Sequence, residues 1–204
     1  MCGEYVLSCM QTCGGDHPMR RIQVPMSQEV RDSLHAGDAV LLNGTVYTAR
    51  DAAHKRLSEM IQKGEKLPFD LRNAVIYYVG PTPAKPGQII GSAGPTTASR
   101  MDPYVPLLAE HGMRGMIGKG RRSREVKEAI QKYHMVYFAA TGGAGALLSH
   151  AIVKREMVAF EDLLSEAVTR LTVKDFPCFV AIDTEGNDIY DSDQRVSERD
   201  SMPV

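Results

Sequence analysis

Apolar segments short enough to be strands alternate with helical segments through the middle of this chain, and this alternation constrains the fold more than any other feature. One helical stripe, over residues 51–63, consists of Ala53, Leu57, Met60 and Ile61. A helix between two strands carries the chain back to the edge where the first strand began, so the second strand pairs in parallel. The alternation therefore predicts an α/β fold with parallel central strands.

Glycines, prolines and capping residues divide the chain into predicted elements. Strands are predicted at residues 39–42, 45–48, 73–79, 88–90, 113–117, 135–140 and 176–182. Helices are predicted at residues 27–35, 51–63, 102–111, 124–133 and 146–153, with Asp102 and Ser123 as N-caps. Asn43 and Gly44 predict a bend or a hairpin between the first two strands. The hairpin-like ends indicate additional strands beyond a simple doubly wound sheet.

Length and composition predict one folded unit with separate ends. The chain has 204 residues, of which 43% are hydrophobic, and this suffices for a core without disulfides or metals. Residues 1–21 are predicted to be a poorly ordered leader, residues 22–190 the folded unit and residues 191–204 a polar tail. The sequence shows neither a signal peptide nor a window of membrane-spanning length, so we expect a cytoplasmic protein.

Charge and cysteine content argue against several classes of function. A formal net charge of −1 gives no support for general binding to nucleic acids or membranes. Cys2, Cys9 and Cys13 lie in the leader, whereas Cys178 lies in an apolar segment and is predicted to be a core thiol, which is not the pattern of a secreted disulfide framework. A metal site in the leader would need a further ligand such as His17. Since the spacing matches metal motifs weakly, we expect no metal on this chain.

Three junctions between a strand and a helix carry cations, and the first contains Arg50. This arginine lies at the start of a predicted helix, where the positive end of the helix dipole disfavours a lone cation. A bound anion would explain the arginine. The alternative is a surface arginine paired with Asp51 or Glu59.

The second junction is a turn with two hydroxyl groups, formed by Gly94, Pro95, Thr96 and Thr97 and followed by Arg100. Hydroxyls and free N–H groups at the start of a helix can hold an oxyanion, and a guanidinium fork suits a carboxylate. The alternative is that one of the threonines caps the helix.

The third junction places Lys119 between Gly118 and Gly120, in a spacing that does not match a P-loop. The alternative here is a solvated basic loop. Residues 141–145 resemble a phosphate cradle but lack the full dinucleotide pattern, so they favour close contact between a helix and a strand. Together the junctions predict a pocket for a small dianion with two carboxylates. No cluster of histidines or carboxylates offers an acid, so such a site would be incomplete alone.

Several ordered motifs resemble the β subunit of class I fumarate hydratase and L-tartrate dehydratase. The resemblance extends from about residue 24 to residue 190 and rests on residues 44–56, 94–102, 118–120, 138–147 and 180–187. The agreement of several motifs in order is more specific than any single glycine loop. The leader with its cysteines has no counterpart in the resemblance.

The resemblance implies a swivelling β/β/α domain, with a central mixed sheet flanked by helices, that closes over a partner. It further implies that the partner, an α subunit, holds a [4Fe-4S] cluster on three cysteines and leaves one iron open as a Lewis acid. The implied reaction is the reversible removal of water from malate to give fumarate, or from tartrate to give oxaloacetate. The implied assembly is a dimer of heterodimers.

The resemblance also implies roles for four residues. Thr96 matches the catalytic base at the substrate carbon, a role in which a threonine hydroxyl needs help from nearby cations. Arg50, Arg100 and Lys119 match the residues that bind the substrate carboxylates. We therefore expect the β subunit of an iron–sulfur hydro-lyase that acts on malate and fumarate. The alternatives are an L-tartrate dehydratase β subunit and a non-catalytic dicarboxylate-binding module.

Overall fold

The computed structural model describes residues 19–140 and 145–191, whose strands form one seven-stranded mixed sheet. The strands are β1 (Arg20–Val24), β2 (Ala39–Thr48), β3 (Val75–Tyr77), β4 (Gly115–Gly118), β5 (Val136–Ala139), β6 (Ile152–Ala159) and β7 (Val168–Ile182). The α-helices are α1 (Gln28–Asp32), α2 (Asp51–Gln62), α3 (Val105–Glu110), α4 (Arg124–Lys132) and α5 (Gly145–His150). Two 3₁₀ segments span Ala98–Tyr104 and Glu161–Glu166. Cys2, Cys9, Cys13, His17, residues 141–144 and residues 192–204 lie outside the described residues.

The sheet closes into a barrel because β7 pairs with two strands that are far apart in the strand order. β2, β3, β4 and β5 are consecutive parallel neighbours, and β7 pairs antiparallel with both β5 and β2. β1 adds to β2 in parallel, and β6 adds to β7 in antiparallel fashion. The predicted mixed α/β class and the parallel pairing of the central strands are confirmed.

Alternation of side chains along the barrel strands produces two cores. Val75 and Tyr77 belong to a cluster inside the barrel, whereas Ile76 between them belongs to a cluster shared with helices α2, α3 and α4. Cys178 lies in the inner cluster, where burial raises the pKa of its thiol. The prediction of a core thiol at this position is confirmed.

A β-bulge replaces the bend or hairpin predicted at Asn43 and Gly44. β2 extends without interruption past both residues, and its register against β7 shifts between Leu42 and Gly44. Asp175 N–H donates to Asn43 Oδ1 at 3.0 Å, and Asn43 Nδ2 donates to Asp175 Oδ1 at 3.3 Å. Asp175 has a φ of 49°, a conformation that Asp and Asn tolerate better than most residues. The residues at which a turn was predicted therefore lie in a bent, paired strand, and the chain does not reverse its direction there.

Some predicted boundaries and elements are wrong. Residues 88–90, predicted as a strand, form an irregular loop, and β6 lies where no strand was predicted. β6 was missed because most of its side chains are exposed or half-buried, so its sequence lacks a clear apolar alternation. β7 begins at Val168, before the predicted start at residue 176, and β1 begins at Arg20, inside the predicted leader.

The two predicted N-caps have different outcomes. Ser123 caps α4, since its side chain accepts a hydrogen bond from Val126 N–H at 3.4 Å. Asp102 does not cap a helix, because it lies inside the first 3₁₀ segment and α3 begins only at Val105. No helix among the described residues is both long and apolar enough to cross a membrane.

The closed barrel makes a prediction about Leu42, which is fully buried in the inner cluster. We expect Leu42→Ala to lower the free energy of unfolding by about 2–5 kcal/mol, because the side chain leaves a cavity that the closed sheet cannot fill. Chemical denaturation monitored by circular dichroism measures this change. Val153→Ala on β6, where the side chain is 45% exposed, is the control and should change the free energy by about 0.5 kcal/mol or less. Equal effects of the two substitutions would contradict the inner core.

Candidate functional site

The carboxyl ends of β2, β3 and β4 meet at one edge of the barrel, and the predicted site residues follow these strands. Arg50 comes soon after β2, and Lys119 directly follows β4. Thr96 lies beside the end of β3, since its N–H donates to the carbonyl of Tyr78 at 2.8 Å. Arg100 lies in the 3₁₀ segment that follows this contact. Ligands of parallel α/β sheets bind at this edge, so the topology collects the predicted residues where a ligand is expected.

Backbone contacts join the loop after β3 to the loop after β4. Thr97 and Lys119 form a parallel bridge, in which Ala98 N–H donates to the Lys119 carbonyl at 2.9 Å. Gly118 allows this approach, because a Cβ at that position would lie only 3.0 Å from the Ala98 Cβ. The two loops therefore form one connected surface that carries Thr96 and Lys119.

Arg50 is the N-cap residue of α2 and lies between two carboxylates. Its Nη2 lies 3.7 Å from Asp51 Oδ2 and 3.5 Å from Glu166 Oε1. Glu166 Oε2 also accepts a hydrogen bond from Ala52 N–H at 3.0 Å, which satisfies a free donor of the first helical turn. Gly80 lies against the arginine, since a Cβ there would lie 2.5 Å from Arg50 Nη1. These contacts fix the position of the guanidinium group.

Asp51 links the two arginines of the site. Its Oδ1 lies 2.9 Å from Arg100 Nε, and its Oδ2 is the atom near Arg50. The pairing of Arg50 with Asp51, which the sequence offered as the alternative to a bound anion, is thus present, whereas Glu59 pairs with Lys55. A guanidinium has five N–H donors, so these contacts leave donors for a further anion. Arg50 Nε, for example, is buried and has no hydrogen-bond partner within the described residues.

The remaining predicted groups are not engaged by protein partners. Lys119 is exposed and forms no ion pair with any residue that the structure describes. Thr97 is the N-cap residue of the 3₁₀ segment but makes no side-chain capping bond, so capping by this threonine does not explain the turn. Thr96 is half-buried, and its hydroxyl bonds to no side chain or carbonyl in the described ranges. The edge therefore presents a free ammonium group and free hydroxyls.

His54 is a buried, neutral residue that contacts the backbone of Arg50. Its Nδ1 lies 2.9 Å from the Arg50 carbonyl, and its ring meets the ring of Tyr78 edge-on at 5.2 Å. Burial lowers the pKa of His54 to about 4 and outweighs the hydrogen bond to the Arg50 carbonyl, which raises this pKa, while the charge of Arg122 lowers it further. A neutral imidazole that donates from Nδ1 has an unprotonated Nε2, and this atom is buried without a partner among the described residues. These contacts make His54 a buried packing residue of the outer core.

No sequence pattern indicated a role for Arg122, which lies in the segment after Lys119. The Arg122 side chain is 0% exposed and its Nη2 lies 2.7 Å from Asp102 Oδ1, whereas the Arg121 side chain is 48% exposed. Glu166 was also missed. Neither residue belongs to a recognisable motif, and their partners are distant in sequence, so no local pattern could have identified them.

Residues 9–193 match the family described as Fumarase C-terminus. "Fumarate hydratase class I, anaerobic" of Escherichia coli (strain K12) is 39% identical over 177 residues, which are 86% of this chain and 31% of that protein. "Fumarate hydratase 2" of Leishmania major is 40% identical over 175 residues, which are 85% of this chain and 30% of that protein. "Putative L(+)-tartrate dehydratase subunit beta" of Methanocaldococcus jannaschii is 42% identical over 164 residues, which are 78% of this chain and 84% of that subunit. The chain thus spans about a third of the fumarate hydratase relatives.

The neutral state of His54 predicts a specific dependence of stability on pH. Between about pH 6.5 and pH 4 the unfolded chain binds a proton at this imidazole and the folded chain does not. The free energy of unfolding should therefore decrease as the pH falls through this range. We expect the free energy of unfolding of His54→Asn, which keeps a donor for the Arg50 carbonyl, to fall less steeply with decreasing pH. The difference in slope should correspond to at most one proton bound on unfolding. Denaturation of both proteins at several pH values measures the difference, and identical slopes would contradict the buried neutral imidazole.

Proposed function

The chain belongs to the Fumarase C-terminus family, and from this premise we propose that it is the β subunit of a two-subunit hydro-lyase that interconverts malate and fumarate. The supporting observation is the surface at the edge of the barrel, where Arg50, Arg100, Lys119 and Thr96 lie on neighbouring loops. A second candidate is the β subunit of an L-tartrate dehydratase. It is favoured by the relative from Methanocaldococcus jannaschii, which this chain covers over 84% of its length.

In the proposal, Arg50, Arg100 and Lys119 bind the two carboxylates of the substrate. Asp51 contacts both arginines and so fixes one guanidinium relative to the other. A planar guanidinium can form two parallel hydrogen bonds to a carboxylate, which sets the orientation of the substrate as well as its affinity. Lys119 has no ion pair within the described residues, so its charge remains available to the dianion.

Thr96 acts as the base in the proposed reaction. During dehydration the C–H bond next to one carboxylate breaks, and its proton passes to Thr96 Oγ1 while its electron pair stays on the substrate carbon. The negative charge spreads onto the adjacent carboxylate, where bound cations stabilise it. A threonine hydroxyl is an intrinsically weak base, so the same cations must also favour its deprotonated form. Hydration is the reverse, with Thr96 returning the proton to carbon.

We assign expulsion of the hydroxyl group to a partner α subunit that holds a [4Fe-4S] cluster. Among the described residues, no three or more His, Cys, Asp or Glu side chains are grouped to hold a metal ion. Cys178 does not fit a cluster either, because it lies inside the barrel with a raised pKa. No step on the described part of this chain therefore involves the cluster. The proposed assembly is a cytoplasmic dimer of heterodimers.

Anaerobic co-purification followed by assays on malate and tartrate tests the proposed function. We expect a partner with the absorption of an iron–sulfur cluster and turnover of one of the two substrates. Preference for malate would support the first candidate, and preference for tartrate the second. Turnover by the chain without any partner, or a co-purified cluster protein that is inactive on both substrates, would contradict the proposal.

The proposed base makes a prediction about two adjacent threonines. Thr96→Val keeps the shape of the side chain but removes the hydroxyl, and we expect kcat of the two-subunit enzyme to fall by about 10²–10⁴-fold with little change in KM. Thr97→Val is the matched control on the same turn, and it should leave kcat within about threefold, a change below 1 kcal/mol in the barrier. Steady-state kinetics on the preferred substrate measure both values. An unchanged kcat in Thr96→Val would show that another group takes the proton.

A further inference from the structure

A buried ion pair lies directly beneath the loops that carry the candidate site. Arg122 Nε donates to Asp102 Oδ1 at 2.8 Å, and the arginine side chain is fully buried while that of Asp102 is 10% exposed. The guanidinium also lies between the rings of Tyr78 and Tyr137, at 5.4 Å and 4.9 Å from their centroids. An ionised arginine is thus enclosed by one carboxylate and two aromatic faces.

The two residues of this ion pair, and the tyrosine that contacts it, belong to different segments of the site. Asp102 lies two residues after Arg100 in the same 3₁₀ segment, and Arg122 lies three residues after Lys119. Tyr78 contacts Arg122 through its ring, and its carbonyl accepts the Thr96 N–H. The ion pair therefore connects the three backbone segments that carry Thr96, Arg100 and Lys119.

Two further hydrogen bonds complete the connection. Asp102 Oδ2 accepts from Ser123 N–H at 2.7 Å, so the same carboxylate also fixes the start of α4. Tyr137 OH donates to the Gly120 carbonyl at 3.0 Å, which holds the loop between Lys119 and Arg122. The loop after β4 is consequently attached at both of its ends to groups in the ion-pair cluster.

The energetics of buried ion pairs argue that this pair is not there mainly for stability. Removing two charges from water has a desolvation cost that offsets most of their attraction, and apolar pairs of similar volume are often as stable. Removing one partner alone is strongly destabilising, because the other charge remains buried. What an apolar pair cannot reproduce is directional bonding, which here fixes the 3₁₀ segment relative to the loop after β4.

We infer that the Asp102–Arg122 ion pair is a positioning element that holds Thr96, Arg100 and Lys119 in the arrangement that binds and turns over the dicarboxylate. Neither residue touches the substrate in this inference. The inference rests on the proposed function of the site, and it assigns the geometry of that site to a pair of residues beneath it.

The decisive variant combines Asp102→Asn with Arg122→Met. This double substitution removes both charges, keeps an acceptor for the Ser123 N–H and keeps most of the buried volume. In the two-subunit enzyme we expect a melting temperature close to that of the wild type and a decrease of at least tenfold in kcat/KM. A merely structural pair would instead show changes in melting temperature without a loss of kcat/KM in the folded enzyme.

Arg31→Met is the matched control at the opposite edge of the barrel. Arg31 is also buried, and it donates to the carbonyls of His134 and Met26, both at 2.7 Å. We expect this substitution to lower the melting temperature but to leave kcat/KM of the folded enzyme within about twofold, since the hydrogen bonds of Arg31 go to His134, Met26 and Asn73, which lie outside the loops of the site. A similar loss of kcat/KM in both variants would show that any buried arginine has the same effect and would overturn the inference.

Amide hydrogen exchange on the full chain gives a readout that does not require turnover. The Thr96 and Ala98 amides donate to the Tyr78 and Lys119 carbonyls, so they report directly on the two loop contacts. We expect these amides to exchange at least tenfold faster in the double variant, while the amides of β5 keep their protection. If the wild-type enzyme turned over neither malate nor tartrate, the proposed function would fail, yet the exchange measurement would still test the positioning role.

Arg122→Lys covers the case in which the double variant does not fold. It keeps the charge but loses the planar fork that bonds Asp102, so we expect faster exchange at Thr96 and Ala98 and a lower kcat/KM. Wild-type exchange rates and wild-type kcat/KM in a folded Arg122→Lys enzyme, or in the double variant, would overturn the inference.

Discussion

Pairing of β7 with both β2 and β5 is the constraint on which the rest of the molecule depends. It closes the sheet, separates an inner core from an outer core shared with the helices, and leaves the carboxyl ends of the parallel strands at one edge. The bulge between Asn43 and Asp175 bends the long strand β7 within its pairing with β2, which extends from Arg170 to Phe179. The position of the candidate site follows from this closure.

Collecting cations at one edge has an electrostatic cost, and carboxylates from different parts of the chain offset it. Asp51 and Glu166 form ion pairs with Arg50, and Asp51 also pairs with Arg100. Asp102 forms an ion pair with Arg122. Lys119 has no such partner in the described residues, so a net positive charge remains for a dianion. In the proposed function this surface binds carboxylates and moves a proton, whereas the group that expels hydroxide lies on a partner subunit. The proposed division of the active site between two subunits is compatible with this distribution of charge.

The residues expected to meet a ligand were predictable from sequence, whereas the residues that hold them in place were not. Glycine, proline and hydroxyl residues mark the turn before Arg100 locally, so a place for this arginine in a candidate anion site could be predicted from neighbouring residues. Glu166 contacts the start of α2 across 114 positions, and Asp102 contacts Arg122 across 20, and no local pattern encodes such pairs. The polar edge strand β6 was missed for a similar reason. Its backbone hydrogen bonds depend on the partner strand β7, which the residues of β6 do not identify. The roles assigned to Thr96 and the three cations stay predictions.

The most direct test of a divided site is a titration of the purified chain into a fixed amount of the proposed cluster-bearing partner under anaerobic conditions. Turnover of the preferred dicarboxylate is measured at each ratio. If each subunit supplies half of the chemistry, turnover should rise from near zero in proportion to added chain and reach a plateau at equal amounts. Full turnover by either protein alone, or a rise without a plateau near equal amounts, would contradict the account.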